Sequence, residues 1–187
     1  LSDNEPLLAI KDYSANRTAK MRQELLRDTG ISRLYLQEHE HAAASQKYYC
    51  AVQNYPELVG VQTNLFKNFL PQAWRFGNSA GVSAFVHPEG VYDDPNGGVL
   101  RSYLYPRLKM HFQFINELRL FAEVHHSLTY SINIYGNQAS PEFITIANLF
   151  HPLTIDQCFD RAVTGPVPGI KDDNNKWNTK GHPGRIV

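Results

Sequence analysis

Cysteine and long apolar runs are scarce in this chain of 187 residues. The two cysteines, Cys50 and Cys158, lie far apart and form no CxxC pair, which argues against a disulfide framework and a zinc knuckle. No apolar run approaches the roughly 18 residues of a membrane-spanning helix, and the polar first residues lack the pattern of a signal peptide. We therefore expect a cytoplasmic protein with no membrane partner.

A net charge of either sign is also missing, because 18 basic and 18 acidic residues balance at pH 7. Such a chain has no global field that attracts nucleic acid or a membrane surface. The balance argues against a small free-standing DNA-binding protein, but it leaves open a DNA-contacting part of something larger. The length is sufficient for one domain with a sizeable core.

Helices are predicted throughout the first third of the chain. Residues 1–60 are predicted as a helical lead-in or insertion, with one helix from Ser14 to Gly30 and another from about Ser32 to Val52. A third helix is the best defined. Thr63 can cap it, and apolar side chains then repeat at three- and four-residue spacing as far as Gly77.

Strands and helix alternate in the middle of the chain, which predicts the α/β class. The short apolar run Val82–Val86 is typical of a buried strand. Apolar residues from Val99 to Met110 predict a helix that bends near Pro106. Two further segments are strand-like, His111–Ile115 and Leu118–Phe121.

The stretch from Thr129 to Tyr135 alternates in polarity, with apolar residues on the even positions and mostly polar residues on the odd ones. This period of two predicts a strand with unlike faces. Together with Leu118–Phe121 it is predicted as a β-turn-β unit that carries His125 and His126 at its mouth. Residues 137–187 are predicted as a connector followed by an irregular, partly disordered tail.

Two clusters contain histidines that could carry chemistry. Glu38–His41 lacks the i,i+4 spacing of a helical zinc pair, so we reject a metal site there and expect no metal. His125 and His126 are adjacent, and adjacent side chains diverge in a strand or turn, which argues against a shared ion. They are either hydrogen-bonded structural residues or, just ahead of a strand and beside Tyr130, part of a ligand site at a sheet edge.

Several segments occur in an order that is typical of one known family. They are Asn64-Leu65-Phe66 at a helix start, Gly81–Pro88 with the spacing G-x-x-x-F-x-x-P, the helix with Leu100-Arg101 and Leu104, then Phe112–Ile115 and Phe121–Tyr135. This order resembles the second half of the catalytic domain in bacterial N6-adenine DNA methyltransferases. It is most similar to the large restriction-modification and phage-defence methylases. The match covers residues 61–136, which we predict as the distal part of that domain.

The resemblance implies a partial Rossmann-like methyltransferase sheet, whose last strands close it as an antiparallel hairpin. It also implies S-adenosylmethionine as the cofactor of the intact parent protein and DNA as its partner, with the target adenine flipped into a pocket. By position, His125, His126 and Tyr130 would form a wall of the target-base pocket. Asn64 and Phe66 would lie near the cofactor.

The family's Asn/Asp-Pro-Pro-aromatic motif and its Gly-rich cofactor loop are not among these residues. We therefore expect a fragment that alone neither binds S-adenosylmethionine properly nor transfers methyl groups, with its catalytic residues elsewhere. An open sheet edge in such a segment should favour an edge-strand dimer. Two alternatives stay open. One is a non-enzymatic DNA- or protein-binding module that uses the basic first helix and tail, and the other is a small hydrolase built on the two histidines, for which no nucleophile is evident.

Overall fold

The computed structural model of the chain describes residues 1–5, 8, 13–62 and 64–187. They divide into two compact units, Leu1–Asn54 and Tyr55–Val187. The β-sheet lies entirely in the second unit. Among the described helices, none combines the length and the apolar character needed to cross a membrane.

The first unit is built on two helices, α1 (Ala15–Leu25) and α2 (Thr29–Cys50), so both predicted helices are present, but Gly30, the predicted end of the first, lies inside the second. The side chains of Ser14 and Asp28 cap them, each accepting a hydrogen bond from the backbone N–H three residues further on. Neither helix contains a fully buried residue. The long apolar side chains of α2 therefore contribute less stabilisation than they would in a closed core.

The described residues of the second unit form a mixed four-stranded sheet with helices, so the predicted α/β class is confirmed. The helices are α3 (Leu65–Phe76), α4 (Gly90–Asp93), α5 (Gly98–Leu104) and α6 (Leu153–Phe159), and the strands are β1 (Ser83–Pro88), β2 (Leu108–Ile115), β3 (Thr129–Tyr135) and β4 (Ile144–Leu149). Asn64 caps α3 by accepting from the Phe66 N–H at 3.4 Å. The predicted cap, Thr63, lies outside the described residues.

The strands are arranged in the order β1-β3-β2-β4. β3 runs antiparallel to both of its neighbours, and β4 runs parallel to β2. β1 and β2 are therefore parallel to each other with β3 inserted between them. β2 and β3 follow one another in the chain and form a hairpin.

The helix predicted to reach Met110 ends earlier, so that prediction is wrong. α5 ends at Leu104, and both Leu108 and Met110 belong to β2. Pro106 has no N–H to continue the helical ladder, so Tyr105 is the last residue with helical backbone whose N–H bonds back to the helix. Leu104 and Leu108 are one helical turn apart in sequence, which is why spacing alone extended the helix too far.

The predicted strand Leu118–Phe121 is also wrong, because the chain makes a short 3₁₀ turn at Asn116–Leu118 and continues as a loop. The buried Asn116 side chain holds this loop. It donates to the carbonyl oxygens of Phe121 and Val124 at 2.9 Å each and accepts from the Phe121 N–H at 3.0 Å. Loop contacts thus replace a sheet ladder here, and the hairpin partner of β3 is β2.

Beyond β3 the chain adds β4 and α6, which sequence patterns did not separate from a connector. The segment from Gly165 to Val187 is largely irregular, as predicted, but definite contacts hold it where partial disorder was expected. The Trp177 ring packs on Phe150 with 4.3 Å between centroids. Val187 exchanges two backbone hydrogen bonds with Thr145, at 2.9 and 3.0 Å.

The sheet has one polar face. The strand registers place Ser131, Asn133 and Tyr135 of β3 on the same side as His87 of β1 and His111 of β2. Aromatic side chains from α3 and α4 contact this side. The polar side of β3 is therefore more deeply buried than its apolar side.

The opposite face of the sheet is apolar, so the prediction of unlike faces for β3 is confirmed. Its half on β2 and β4 packs against α6 in a hydrophobic core of Phe112, Phe114, Ile146, Leu149 and Cys158. Its half on β1 and β3 is open, with Val86 56% exposed and Ile132 and Ile134 only partly buried. One face thus buries polar groups while part of the other leaves apolar ones in solvent.

Candidate functional site

The sequence-predicted site residues lie at one end of the sheet, where β1 and β2 end and β3 begins. Pro88 is the last residue of β1 and is directly paired with Tyr130 of β3. On its other side, Asn64 and Phe66 line a groove of about 500 Å³ together with Pro88 and Gly90. Pro88 therefore stands between the two predicted groups.

The start of α3 is held against the end of β1 by a ring stack and an ion pair. The Phe66 ring stacks on the His87 imidazole, with centroids 5.5 Å apart and planes at 23°. Lys67, itself buried, donates from Nζ to Asp94 Oδ2 at 3.1 Å. This hydrogen bond holds the pKa of the Asp94 carboxyl below its usual value. Because Asp94 directly follows α4, both walls of the groove are fixed.

His125 and His126 lie in the loop between β2 and β3, with ring centroids 4.4 Å apart. His125 Nδ1 is 2.8 Å from Ser127 Oγ, and His126 Nδ1 donates to Glu117 Oε2 at 2.9 Å. That hydrogen bond lowers the pKa of Glu117. The His125 side chain is exposed and that of His126 partly so. The loop therefore presents two imidazoles to solvent at this end of the sheet.

Tyr130 lies on the apolar face, away from the groove. Its ring stacks on Phe114 with 5.3 Å between centroids, and Phe121 meets it edge-on at 4.9 Å. Burial raises the pKa of the Tyr130 hydroxyl. The structure thus brings the two α3 residues together and the two loop histidines together. Among the described residues, no hydrogen bond or ring contact joins one pair directly to the other.

Sequence reasoning missed a buried polar network next to this groove, on the polar face of the sheet. Asn133 is its centre. The Oδ1 atom accepts from the Tyr92 hydroxyl at 2.6 Å, and Nδ2 donates to Ser131 Oγ at 2.8 Å and to His87 Nε2 at 3.0 Å. The Tyr135 hydroxyl lies 3.2 Å from the same His87 nitrogen. These polar groups satisfy one another where water has little access.

The network also determines the tautomer of His87. Its Nδ1 lies 2.9 Å from the carbonyl oxygen of Pro88, which can only accept, so Nδ1 carries the proton. Nε2 then accepts from the amide of Asn133. Burial lowers the pKa of His87, which favours this neutral ring. Phe66 therefore stacks on an uncharged imidazole.

Glu89 is a buried carboxylate that completes the network. Its two oxygens accept from His111 Nε2 at 3.2 Å and from Gln113 Nε2 at 3.0 Å, and the Ser131 hydroxyl is a third donor. Burial alone would raise the pKa of Glu89, but the hydrogen bonds outweigh it and hold the pKa below its usual value. With its lone pairs so occupied, Glu89 is suited to holding the turn from β1 into α4 rather than to taking a proton from a ligand.

A signal for this network was present in the odd, polar positions of β3. It could not be connected to its partners, because Asn133 and His87 are 46 positions apart in sequence. In the part of the chain that the structure describes, no three His, Cys, Asp or Glu side chains converge as a group that could hold a metal ion. The site can therefore offer a groove with aromatic and amide walls, a pair of imidazoles and a rigid polar support.

No known protein-family model matches this chain, and no curated protein is significantly similar to it in sequence.

Proposed function

We propose that this chain is the distal part of the catalytic domain of an adenine-specific DNA methyltransferase, of the restriction-modification or phage-defence type, acting in the bacterial cytoplasm. The observation that carries the proposal is the position of β3. It runs antiparallel between β1 and β2 and forms a hairpin with β2. This supports the closing antiparallel hairpin that the resemblance implies for a Rossmann-like methyltransferase sheet.

The groove at the start of α3 is suited to one wall of a cofactor site. Its volume of about 500 Å³ lies within the usual range of roughly 300–1,000 Å³ for small-molecule sites. Phe66 offers an aromatic ring, Asn64 an amide and Asp93 an exposed carboxylate. These groups fit the adenosyl ring and the cationic part of S-adenosylmethionine, which would supply the methyl group. The remaining walls would come from residues outside this chain.

The loop between β2 and β3 would form the far wall of the target-base pocket. His125 and His126 present planar rings, and stacking on an unpaired base contributes about 1–3 kcal/mol per base. Tyr130 would support this wall from the apolar face, where Phe114 and Phe121 already hold its ring. Neither histidine needs to gain or lose a proton in this role. The missing Asn/Asp-Pro-Pro-aromatic motif would hold the amine that accepts the methyl group.

The proposal is tested in cells that make the protein from its own gene. Deleting the gene should remove N6-methyladenine from one DNA sequence motif, as read by single-molecule sequencing. The change Phe66→Ala should lower methylation of that motif by ~10-fold or more, because the wall beside the cofactor is displaced. Phe76→Ala is the matched control, since Phe76 lies on the same helix and is 85% exposed. It should leave methylation unchanged at equal protein abundance.

A double replacement of His125 and His126 by alanine should slow methylation by weakening base binding, and unchanged methylation kinetics would contradict the assignment of these residues. Intact methylation after gene deletion would overturn the whole proposal. If the purified chain then shifted DNA in a gel in a salt-dependent way without S-adenosylmethionine, the alternative of a non-enzymatic binding module would replace it.

A further inference from the structure

A second cavity lies at the end of the sheet opposite Pro88. It has a volume of about 260 Å³ and lies where α3 ends, β1 begins and β3 ends. Ser83, Arg107, Asn137 and Gln138 are among the residues that line it, and none of its lining residues is aspartate or glutamate. The cavity therefore combines one cationic side chain with neutral hydrogen-bonding groups.

Arg107 supplies the charge of this cavity. It donates from Nη1 to the Tyr103 carbonyl oxygen at 2.7 Å and from Nη2 to Gln138 Oε1 at 3.3 Å. Both acceptors are neutral, and no described carboxylate lies within ion-pair distance of the guanidinium.

The guanidinium of Arg107 lies over an aromatic ring. Its carbon lies 5.0 Å from the centroid of the Trp74 ring, and Trp74 itself packs edge-on against Tyr135. The Trp74 Nε1–H is buried and has no hydrogen-bond partner among the described residues. Trp74 is one of the residues that line the cavity, so this N–H is an unpaired donor of the cavity wall, and the charge recognition rests on Arg107.

We propose that this cavity binds a phosphate group, either of a free phosphate compound or of a nucleic-acid backbone. Arg107 has five N–H groups, of which two make the hydrogen bonds above, and a guanidinium without a carboxylate partner is suited to donate the remaining ones to an oxyanion. Ser83 and Asn137 can donate to the remaining oxygens, which a phosphate has in greater number than a carboxylate. The site is separate from the groove at Pro88 and does not depend on methyltransferase function.

The test uses the complete chain and its two tryptophans, Trp74 and Trp177, which give two indole N–H signals in a ¹H–¹⁵N spectrum. Titration with inorganic phosphate at constant ionic strength should shift the Trp74 signal to saturation and leave the Trp177 signal in place. The same titration is repeated with adenosine monophosphate and with a short DNA duplex at matched phosphate concentration. Saturation at a lower concentration of the nucleotide indicates a free phosphate compound as the ligand, and saturation at a lower concentration of the duplex indicates a nucleic-acid backbone. Absence of any saturable shift with all three probes would overturn the proposal.

Charge variants identify the residue responsible. Arg107→Gln should weaken phosphate binding ~10-fold or more, because it removes the charge and the fork. Arg161→Gln makes the same change in net charge at an exposed position and should leave the affinity unchanged. Arg107→Lys keeps the charge and should give a smaller loss; it replaces the glutamine variant if circular dichroism shows that one to be unfolded. Unchanged affinity in the Arg107 variants, or an equal loss in Arg161→Gln, would contradict the site.

Discussion

On the β1–β3 half of the sheet, the two faces bury their side chains in the reverse of the usual order. On the polar face Ser131 and Asn133 are 0% exposed, whereas on the apolar face Val86 is 56% exposed. A sheet with one covered side ordinarily turns its apolar side chains inward. Here the polar face is closed by α3 and α4 and its groups satisfy one another, while α6 covers only the β2–β4 half of the apolar face. Coverage by neighbouring elements, and not polarity alone, decides burial.

The largest expected effect is a difference in the free energy of unfolding between variants in the covered half and in the open half of the apolar face. Ile146→Ala should lower the free energy of unfolding by about 3–4 kcal/mol, because it opens a cavity in the core against α6. Val86→Ala should lower it by less than ~0.5 kcal/mol, because that side chain is already in solvent. Urea denaturation followed by circular dichroism measures both. Equal losses would show that the open half is covered in solution.

The second prediction tests whether the hydrogen bonds of the buried network stabilise the polar face. Asn133→Ala should lower the free energy of unfolding by about 2–3 kcal/mol, because the Tyr92 hydroxyl and His87 Nε2 both lose a buried partner. Asn137→Ala removes the same amide from an exposed position and should be near neutral. If the two variants unfolded at the same urea concentration, the network would not be what stabilises this face.

The dependence of stability on pH tests the role of Glu89, the buried carboxylate of the polar face. The pKa of Glu89 is held below 4.5, so its ionised form contributes stability that is present above about pH 4.5 and is lost as the pH falls through the lowered pKa. Glu89→Gln should lower the unfolding free energy by about 1–2 kcal/mol at pH 7 and flatten its decline in acid. The exposed Glu142→Gln should retain the full decline. A Glu89→Gln variant with the unaltered acid profile would contradict the assignment.

The smallest expected effect concerns the open half again, at the outer edge of β1, which is an edge strand of the sheet. No strand pairs with that edge among the described residues, so we expect weak dimerisation of two copies through it. Ala84→Lys, on an exposed position of β1, should reduce the dimer fraction in light scattering, and Val99→Lys on α5 should not. A monodisperse monomer of the unaltered chain at high concentration would contradict this expectation.

Elements with local signals could be predicted from the sequence. The helix start at Ser14, the three- and four-residue spacing in α3 and the alternation in β3 all depend on residues close together in sequence, and the structure contains each of these elements. The predictions went wrong where a single residue redirects the backbone. Pro106 prevents α5 from continuing. The Asn116 side chain binds the backbone of the loop that follows it, and residue spacing does not predict these hydrogen bonds.

The candidate site was predictable only in its outline. His125 and His126 could be named because they stand just ahead of a strand, where ligand sites are common, and Asn64 and Phe66 were named only through the resemblance. His87 and Glu89 could not be named as partners of Asn133, Ser131 and His111, because these contacts depend on strand registers across the sheet.

The sequence by itself determined that this chain forms helices followed by an α/β unit, and that β3 has one polar and one apolar side, since both follow from propensity and period. Only the tertiary structure decided that the polar side is the buried one. The reason is that α3 and α4, distant from β3 in sequence, bring Phe66 and Tyr92 onto it, and the Tyr92 hydroxyl donates to the buried Asn133 amide. The apolar face stays most open at Val86 of β1, because the core against α6 lies on the β2–β4 half of that face.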